Sequence, residues 1–337
     1  MQGYGDFYRG RRVLITGGLG FIGSNLARRL VDLDAQVLLV DSMIPDYGGN
    51  FHNIAGYEER LRVNISDVRD ANSLHHLVQG QELIFNLAGQ VSHIDSMTDP
   101  RTDLEINCRS QLDLLEACRQ FNAGVKVVYA GTRQIYGRAQ YLPVDESHPI
   151  RPVDVNGVNK YAGEMYHLLY WDVFGIRTCV LRLPNTYGPR MLMRHNRQGF
   201  LPWFVRQAIE GQTITLFGTG EQRRDLNHVA DVVEAFLRVG APEGTNGQVY
   251  NLGHPQAVSL REIAAILSDL CPGCDYRLVP FPEEKRRIDI GDYWGDYRKL
   301  CQAVGWEPTI GPREGLARMV RFYQENREHY WTEEAMR

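Results

Sequence analysis

The chain has 337 residues, of which 43% are hydrophobic and 23% charged, so it can bury the core of one large domain or of two smaller ones. Its 41 acidic and 37 basic residues leave a net charge of −4, and the basic residues are scattered, which argues against nucleic acid as a partner. No apolar run reaches the roughly 18 residues of a membrane span, and the N-terminal sequence lacks the apolar segment of a signal peptide. We therefore expect a cytoplasmic protein without a membrane partner.

Short aliphatic runs alternate with longer stretches of helical period along the first two thirds of the chain. The predicted strands, in chain order, are RVLITG, QVLLVD, LRVNIS, LIFNLAG, VKVVYAG, TCVLRL and QVYNLG. Between them lie predicted helices, among them residues 156–174 and 201–210. This alternation implies right-handed βαβ crossovers and a doubly wound parallel (Rossmann) α/β sheet covered by helices on both faces.

The regular alternation weakens after about Pro184. Loops such as NTYGPRMLMRHNRQG are rich in proline, glycine and arginine, which indicates a smaller α/β lobe over the carboxyl edge of the sheet. Because QVYNLG resembles another strand of the large sheet, we expect the chain to cross between the lobes more than once. We assign residues 1–184 plus about 225–255 to the large domain, and residues 185–224 plus about 256–337 to the smaller lobe.

A glycine-rich turn follows the first predicted strand. In VLITGGLGFIGSNLARRL, Gly17, Gly20 and Gly23 lie between an apolar strand and the start of a helix, where a backbone can approach a pyrophosphate closely and free N–H groups can bind it. The second strand ends in Asp41, at the offset where a carboxylate accepts the ribose hydroxyls of a dinucleotide. A carboxylate there repels a 2′-phosphate, so the sequence favours NAD over NADP.

The third predicted strand is followed by a further candidate residue for the cofactor site. Asp67 and Val68 follow the third strand, where a carboxylate can accept a hydrogen bond from the adenine amino group.

The spacing of the six cysteines along the chain is not that of a disulfide framework. The segment CPGC, residues 271–274, is interpreted as reduced thiols at a turn, and no metal site is predicted.

Six ordered motifs resemble the extended short-chain dehydrogenases/reductases that act on nucleotide sugars. After the glycine turn come NLAGQVSH, INCRSQLDLLEA, AGTRQIYG, LRLPNTYGP and FGTGEQRRDLNHVAD, and the resemblance spans nearly the whole chain. It implies an enzyme with bound NAD and a nucleotide-diphosphate sugar as substrate. The resemblance implies that the cofactor is held by Gly17, Gly20, Phe21, Ile22, Gly23, Asp41, Asp67, Val68, Leu87, Ala88, Asn107 and Lys160. It implies a substrate site made of Thr132, Arg133, Asn185, Phe200, Leu201, Arg224, Asn251 and Arg286.

The active site implied by the resemblance contains one unexpected residue. The resemblance places Thr132 on the reacting sugar and Lys160 on the nicotinamide ribose, and it places a tyrosine base one helical turn before the lysine. This chain has Asn156 there, and an amide cannot act as a base. We hypothesise that His93, in the loop after LAG, replaces the tyrosine, because imidazole is the side-chain type that titrates nearest neutral pH.

The residues after Thr132 restrict which of the family's reactions the chain is expected to catalyse. Sugar 4,6-dehydratases of this family carry an Asp-Glu pair there, and the related decarboxylases carry a glutamate, whereas this chain has Arg133 and Gln134. The nearest mechanism is therefore epimerisation at carbon 4 by transient hydride transfer to NAD. Two alternatives stay open: a dehydratase, decarboxylase or oxidoreductase with rebuilt acid/base residues, in which Arg133 would bind a carboxylated sugar, and a non-catalytic sensor.

Two predicted helices suggest a self-association surface. SQLDLLEACRQF and YAGEMYHLLYWDVFG carry apolar or aromatic residues on more than one face. One face would cover the sheet. The other predicts a homodimer joined through four helices, as the resemblance also implies.

Overall fold

A seven-stranded parallel sheet forms the centre of the protein. The computed structural model describes residues 4–283 and 289–331. Every neighbouring pair in this sheet is parallel, and the spatial order of its strands is β3-β2-β1-β4-β5-β6-β10. The strands are β1 (Arg12–Thr16), β2 (Gln36–Asp41), β3 (Leu61–Ile65), β4 (Leu83–Asn86), β5 (Lys126–Thr132), β6 (Arg177–Leu183) and β10 (Gln248–Asn251). The predicted doubly wound fold is confirmed.

Helices cover both faces of this sheet. The helices of the described residues are α1 (Gly5–Tyr8), α2 (Phe21–Asp32), α3 (Ala71–Leu77), α4 (His93–Thr98), α5 (Pro100–Leu104), α6 (Ser110–Phe121), α7 (Val155–Phe174), α8 (Phe200–Ile209), α9 (Val229–Gly240), α10 (Leu260–Leu270), α11 (Arg298–Val304) and α12 (Pro312–Asn326). On one face α2 packs beside α9, and on the other α3, α6 and α7 lie side by side. Alternate residues of β1 pack against the helices on opposite faces of the sheet. Val13 and Ile15 belong to the core on the first face, and Leu14 belongs to the core on the second.

Among the described residues, a second lobe is built from five short strands and three helices. Its strands are β7 (Asn185–Tyr187), β8 (Ile214–Phe217), β9 (Arg223–His228), β11 (Ala257–Ser259) and β12 (Tyr276–Val279). They form a three-stranded sheet in the order β11-β9-β7 and a parallel pair of β12 with β8, and helices α8, α10 and α12 supply most of the apolar core around them. The division of the chain into two domains stays a prediction. Leu300 and Trp306 pack into the core of the large sheet.

A buried ion pair fixes helix α7 against the sheet. The guanidinium of Arg182 on β6 donates to both carboxylate oxygens of Glu164 on α7, at 3.0 and 2.5 Å. Both side chains are at most 5% exposed, and the tyrosine hydroxyl of Tyr136 adds a further contact to the arginine at 2.5 Å. Such a pair fixes geometry because breaking it would leave an uncompensated buried charge. Helix α7 is thereby held at the edge where the strands end.

In the described residues, no helix combines the length and the apolar character that a membrane crossing needs.

Candidate active site

One cavity of about 790 Å³ opens at the carboxyl ends of β1, β2, β4, β5 and β6. This edge is where open parallel sheets bind their ligands. The cavity is lined by most of the residues predicted from the sequence: Gly17, Gly20, Phe21, Ile22, Gly23, Asp41, Asp67, Val68, Leu87, Ala88, His93, Thr132, Arg133, Asn156, Lys160, Asn185, Phe200, Leu201 and Arg224.

Two of the predicted site residues that the structure describes, Asn107 and Asn251, do not line the cavity. Asn107 is buried in a π-helical segment, Glu105–Arg109, where its amide donates to the carbonyl of Gln90 at 2.9 Å. Asn251 is buried at the end of β10, where it accepts the hydroxyl of Tyr136 and donates to the carbonyl of Val144. Arg286 lies outside the described residues.

The glycine turn fits a dinucleotide pyrophosphate. Gly17 has φ +69°, and a Cβ on it would lie 3.0 Å from the backbone nitrogen of Ala88. A Cβ on Gly23 would lie 2.1 Å from the carbonyl oxygen of Gly17, so only glycine allows the helix to pack this closely on the turn. No side chain caps the start of α2 at Gly20, so the N–H groups of its first turn are available to an anion.

Two carboxylates, at the ends of β2 and β3, border the cavity. Asp41 accepts the backbone N–H groups of Leu19 and Met43, each at 3.0 Å, and burial raises the pKa of its carboxyl group while these bonds oppose the rise. Each oxygen keeps lone pairs that can accept ribose hydroxyls. Asp67 instead forms an ion pair with Arg69 at 2.5 Å, and that hydrogen bond lowers the pKa of Asp67.

Lys160 on α7 and Thr132 at the end of β5 line the same cavity. The ammonium group of Lys160 donates to the carbonyl of Ala130 at 2.8 Å. Burial lowers the pKa of Lys160 to about 8, and the charge of Asp103 works in the opposite direction. The hydroxyl of Thr132, at the end of β5, accepts the N–H of Gln134 at 3.2 Å. A cation and a hydroxyl thus border the space where the reacting sugar and the nicotinamide would meet.

His93 lies in a hydrogen-bonded chain with Asp154 and Gln134. Its Nδ1 contacts Oδ2 of Asp154, whose side chain is 2% exposed, and its Nε2 lies 2.5 Å from Nε2 of Gln134. These partners assign the Nδ1–H donor to Asp154 and leave Nε2 as an acceptor that faces Gln134. Burial alone would raise the pKa of Asp154, but the hydrogen bond and charge of His93 and the Gly157 N–H hold it below its usual value.

Asn156 belongs to a buried polar cluster around Asp103. The Nδ2 group of Asn156 donates to the carbonyl of Gln90 at 2.7 Å and to Oδ2 of Asp103 at 3.0 Å. The same carboxylate accepts the amides of Asn107 at 3.0 Å and Asn159 at 2.8 Å. Three asparagine amides therefore satisfy one buried carboxylate, which lies in electrostatic range of Lys160.

Sequence reasoning missed Asp154 and Asp103. Asp154 could have been identified as the N-cap of α7, since its side chain accepts the N–H of Gly157 at 2.7 Å and aspartate is a preferred cap. Its contact with His93, 61 positions away, has no local signal. The same holds for Asp103, whose partners on α7 are more than fifty positions away in the sequence.

Metal chemistry has no support among residues 4–283 and 289–331. They contain no group of three or more His, Cys, Asp and Glu side chains that could hold a metal ion. Cys271 and Cys274 are buried free thiols, and burial raises the pKa of each. A raised pKa keeps a thiol protonated and unreactive.

Comparison with known proteins identifies the family. The model of the NAD dependent epimerase/dehydratase family matches residues 13–253, and the chain belongs to this family. It is 30% identical over 315 residues to a putative UDP-glucose 4-epimerase of Methanocaldococcus jannaschii, covering 93% of this chain and 99% of that protein. It is 32% identical over 316 residues to the UDP-glucose 4-epimerase of Mycolicibacterium smegmatis, covering 93% and 98%. The protein is therefore an NAD-dependent enzyme.

A solved structure shows the same architecture with the cofactor present. The dTDP-glucose 4,6-dehydratase DesIV of Streptomyces venezuelae, determined with NAD bound, superposes with a TM-score of 0.86 at 29% identity. The match covers 97% of this chain and 100% of that one. Epimerases and dehydratases thus share this fold, and the reaction must be argued from the site.

Replacing Asn156 by tyrosine is expected to damage the site. The substitution would remove one donor from the buried carboxylate of Asp103, so Asn156→Tyr should lower the free energy of unfolding by about 1–3 kcal/mol and lower turnover. Urea unfolding and sugar turnover measure the two effects. Asp172→Tyr, at an exposed position of the same helix, is the matched control and should change stability by less than about 0.5 kcal/mol. Higher turnover in Asn156→Tyr would contradict this interpretation.

Proposed function

We propose that this enzyme is an NAD-dependent nucleotide-sugar epimerase that acts at carbon 4 by removing and returning a hydride. The observation that carries the proposal is the arrangement of His93, oriented by Asp154 and bordering the same cavity as Thr132 and Lys160. It offers one oriented proton acceptor beside one hydroxyl and one cation. Epimerisation by hydride return needs no further acid or base.

The residues have separate roles in this proposal. Thr132 hydrogen-bonds the oxygen on carbon 4, and His93 accepts its proton through Nε2 once the substrate displaces the amide of Gln134. Asp154 stabilises the imidazolium and keeps Nε2 directed at the substrate, as a carboxylate does for a catalytic histidine elsewhere. Lys160 supplies positive potential to the developing alkoxide. Asn156 is assigned a positioning role, since its amide is engaged by Gln90 and Asp103.

The cofactor residues follow from the same geometry. When bound, NAD would supply the hydride acceptor for carbon 4, and the keto sugar would have to turn over in the cavity for the hydride to return to its other face. We assign its pyrophosphate to the turn at Gly17, Gly20 and Gly23 and its adenosine ribose to Asp41. Leu87 and Ala88 are held beside this turn because their N–H groups donate to the hydroxyl of Thr16 at 3.0 and 3.1 Å.

The side chains that follow Thr132 favour epimerisation over dehydration. Dehydration needs an acid to expel a hydroxyl and a base to remove a carbon-bound proton. Arg133 donates to the side-chain oxygen of Asn185, and Gln134 is bonded to His93, so neither supplies this pair. The carboxylate of Asp154 is already hydrogen-bonded to His93, so it does not supply the acid or base of a dehydration either.

Proton NMR in deuterated water tests the reaction. Purified protein with NAD and a panel of UDP-, GDP-, CDP- and dTDP-linked sugars should convert one sugar to its carbon 4 epimer without deuterium, because the hydride returns internally. Deuterium at carbon 5 or carbon 3 would instead indicate a dehydratase or an epimerase that works by enolisation.

The proton acceptor is tested by two variants. His93→Ala should lower kcat by about 10²–10⁴, the usual contribution of a positioned base. Asp154→Asn keeps the helix cap but removes the charge that stabilises the protonated imidazole and orients His93, so it should also lower kcat.

The control for these variants is His76→Ala, an exposed histidine on α3. It should retain the wild-type rate. A His93→Ala protein whose turnover stays within a few-fold of wild type would rule out His93 as the base.

We also propose that the enzyme is a homodimer joined through α7. Val158, Met165, Leu169 and Val173 recur on one face of this helix and are 52, 45, 48 and 60% exposed. A continuous apolar stripe of this kind on a surface helix is typical of an interface. The six unpaired cysteines support a reducing compartment, and we propose the cytoplasm as its location.

A charge in this stripe should prevent dimerisation. Leu169→Glu is expected to produce a monomer in light scattering coupled to size-exclusion chromatography, because the interface would bury an unpaired carboxylate. Leu278→Glu, at a 44% exposed leucine of β12, is the matched control and should leave the dimer intact. A wild-type monomer, or a dimeric Leu169→Glu protein, would refute this interface.

A further inference from the structure

Arg133 is the cavity arginine whose charge is least compensated by the protein. Its Nε and Nη2 groups donate to Oδ1 of Asn185 at 3.3 and 3.0 Å, and its guanidinium lies 4.9 Å from the ring centre of Tyr293. Within residues 4–283 and 289–331, no carboxylate lies within 4 Å of this guanidinium. Its removal from water lowers the pKa of Arg133.

Among the described residues, two other arginines line the cavity, and both have acidic partners. Arg197 pairs with Asp46 at 3.1 Å and with Asp95 at 3.4 Å. Arg224 lies 3.8 Å from Asp289, and burial together with the charge of Arg133 lowers the pKa of Arg224 to about 10. Two guanidiniums thus repel each other across one cavity, which favours binding of more than one anionic group.

The acidic side chains that interact with Arg133 from a distance compensate its positive charge poorly. Asp154 is already paired with His93, and burial raises the pKa of Asp225 to about 7, which disfavours its charged form. A half-buried cation without a close counter-ion is costly unless a ligand supplies the anion.

We propose that Arg133 binds a carboxylate on the sugar ring, so that the substrate is a nucleotide-linked uronic acid. This inference rests on the proposed function. Arg133 directly follows Thr132, and consecutive Cα atoms lie about 3.8 Å apart. We therefore expect its guanidinium to lie close to the reacting carbon of the sugar. In a hexuronic acid the carboxylate stands on the carbon next to carbon 4.

The geometry of the guanidinium suits this ligand. Nη1 has no hydrogen-bond partner among the described residues, and it forms with Nη2 an edge that can donate two parallel bonds to a planar carboxylate. The ring of Tyr293 and the amide of Asn185 hold the plane of the guanidinium. Arg224, on β9 in the smaller lobe, remains the cation for the diphosphate.

Equilibrium binding separates the carboxylate from the diphosphate. Full-length protein saturated with NAD is titrated calorimetrically with UDP, UDP-glucose and UDP-glucuronic acid. We expect UDP-glucuronic acid to bind at least about tenfold more tightly than UDP-glucose, since a hydrogen bond to a charged group is worth about 1.5–3 kcal/mol. In Arg133→Gln the ratio of these two affinities should fall close to one, and Arg133→Lys should restore part of it.

Arg224→Gln is the matched control. It should weaken all three ligands by similar factors and so preserve the ratio. An equal loss of affinity for UDP and both UDP-sugars in Arg133→Gln would assign Arg133 to the diphosphate and overturn the inference. Failure of the wild-type protein to prefer the uronic acid, or to bind either sugar, would overturn it as well.

The two proposals fail in different ways. Arg133-dependent preference for UDP-glucuronic acid without formation of a carbon 4 epimer would leave the inference standing and reject the proposed reaction. Epimerisation of UDP-glucose with no preference for the uronic acid would reject the inference and leave the reaction standing.

Discussion

The carboxylate of Asp154 joins the two parts of the structure on which the site depends. One of its oxygens accepts the N–H of Gly157 at the start of helix α7, and the other accepts the Nδ1–H of His93, which is the first residue of α4 and not part of a loop as the sequence predicted. Helix α7 carries Asn156 and Lys160, so a single buried side chain sets the start of that helix and the orientation of the proposed base. A shift of this cap would move all of these groups together.

The cluster around Asp103 explains how a site can work with asparagine at position 156. A buried carboxylate needs donors on each oxygen, and Asn107, Asn156 and Asn159 supply them. Asp103 in turn opposes the effect of burial on Lys160 and helps keep its ammonium group charged. The amide at position 156 therefore contributes, through Asp103, to the electrostatic environment of the lysine.

The strands, helices and turns of the fold could be predicted from the sequence because each depends on residues that are neighbours in the chain. All seven strands of the large sheet were predicted as aliphatic runs, and residues 156–174 were predicted as a helix that the structure places at Val155–Phe174. The glycine turn and Asp41 were predicted for the same reason, since their spacing is short and chemically constrained. The strand pairing of the smaller lobe was not predicted, because its short strands β7, β9 and β11 come from distant segments.

The sequence by itself determined the parallel sheet, the NAD site and the residues at the strand ends, because periodicity, glycine spacing and strand-end position are properties of neighbouring residues. Only the tertiary structure decided which polar groups are paired. It placed Asp154 against His93, assigned the amide of Asn156 to Asp103, and left Arg133 without a carboxylate in contact among the described residues. Burial and pairing depend on contacts between segments more than fifty positions apart, and the charge state and chemistry of a side chain follow from those contacts.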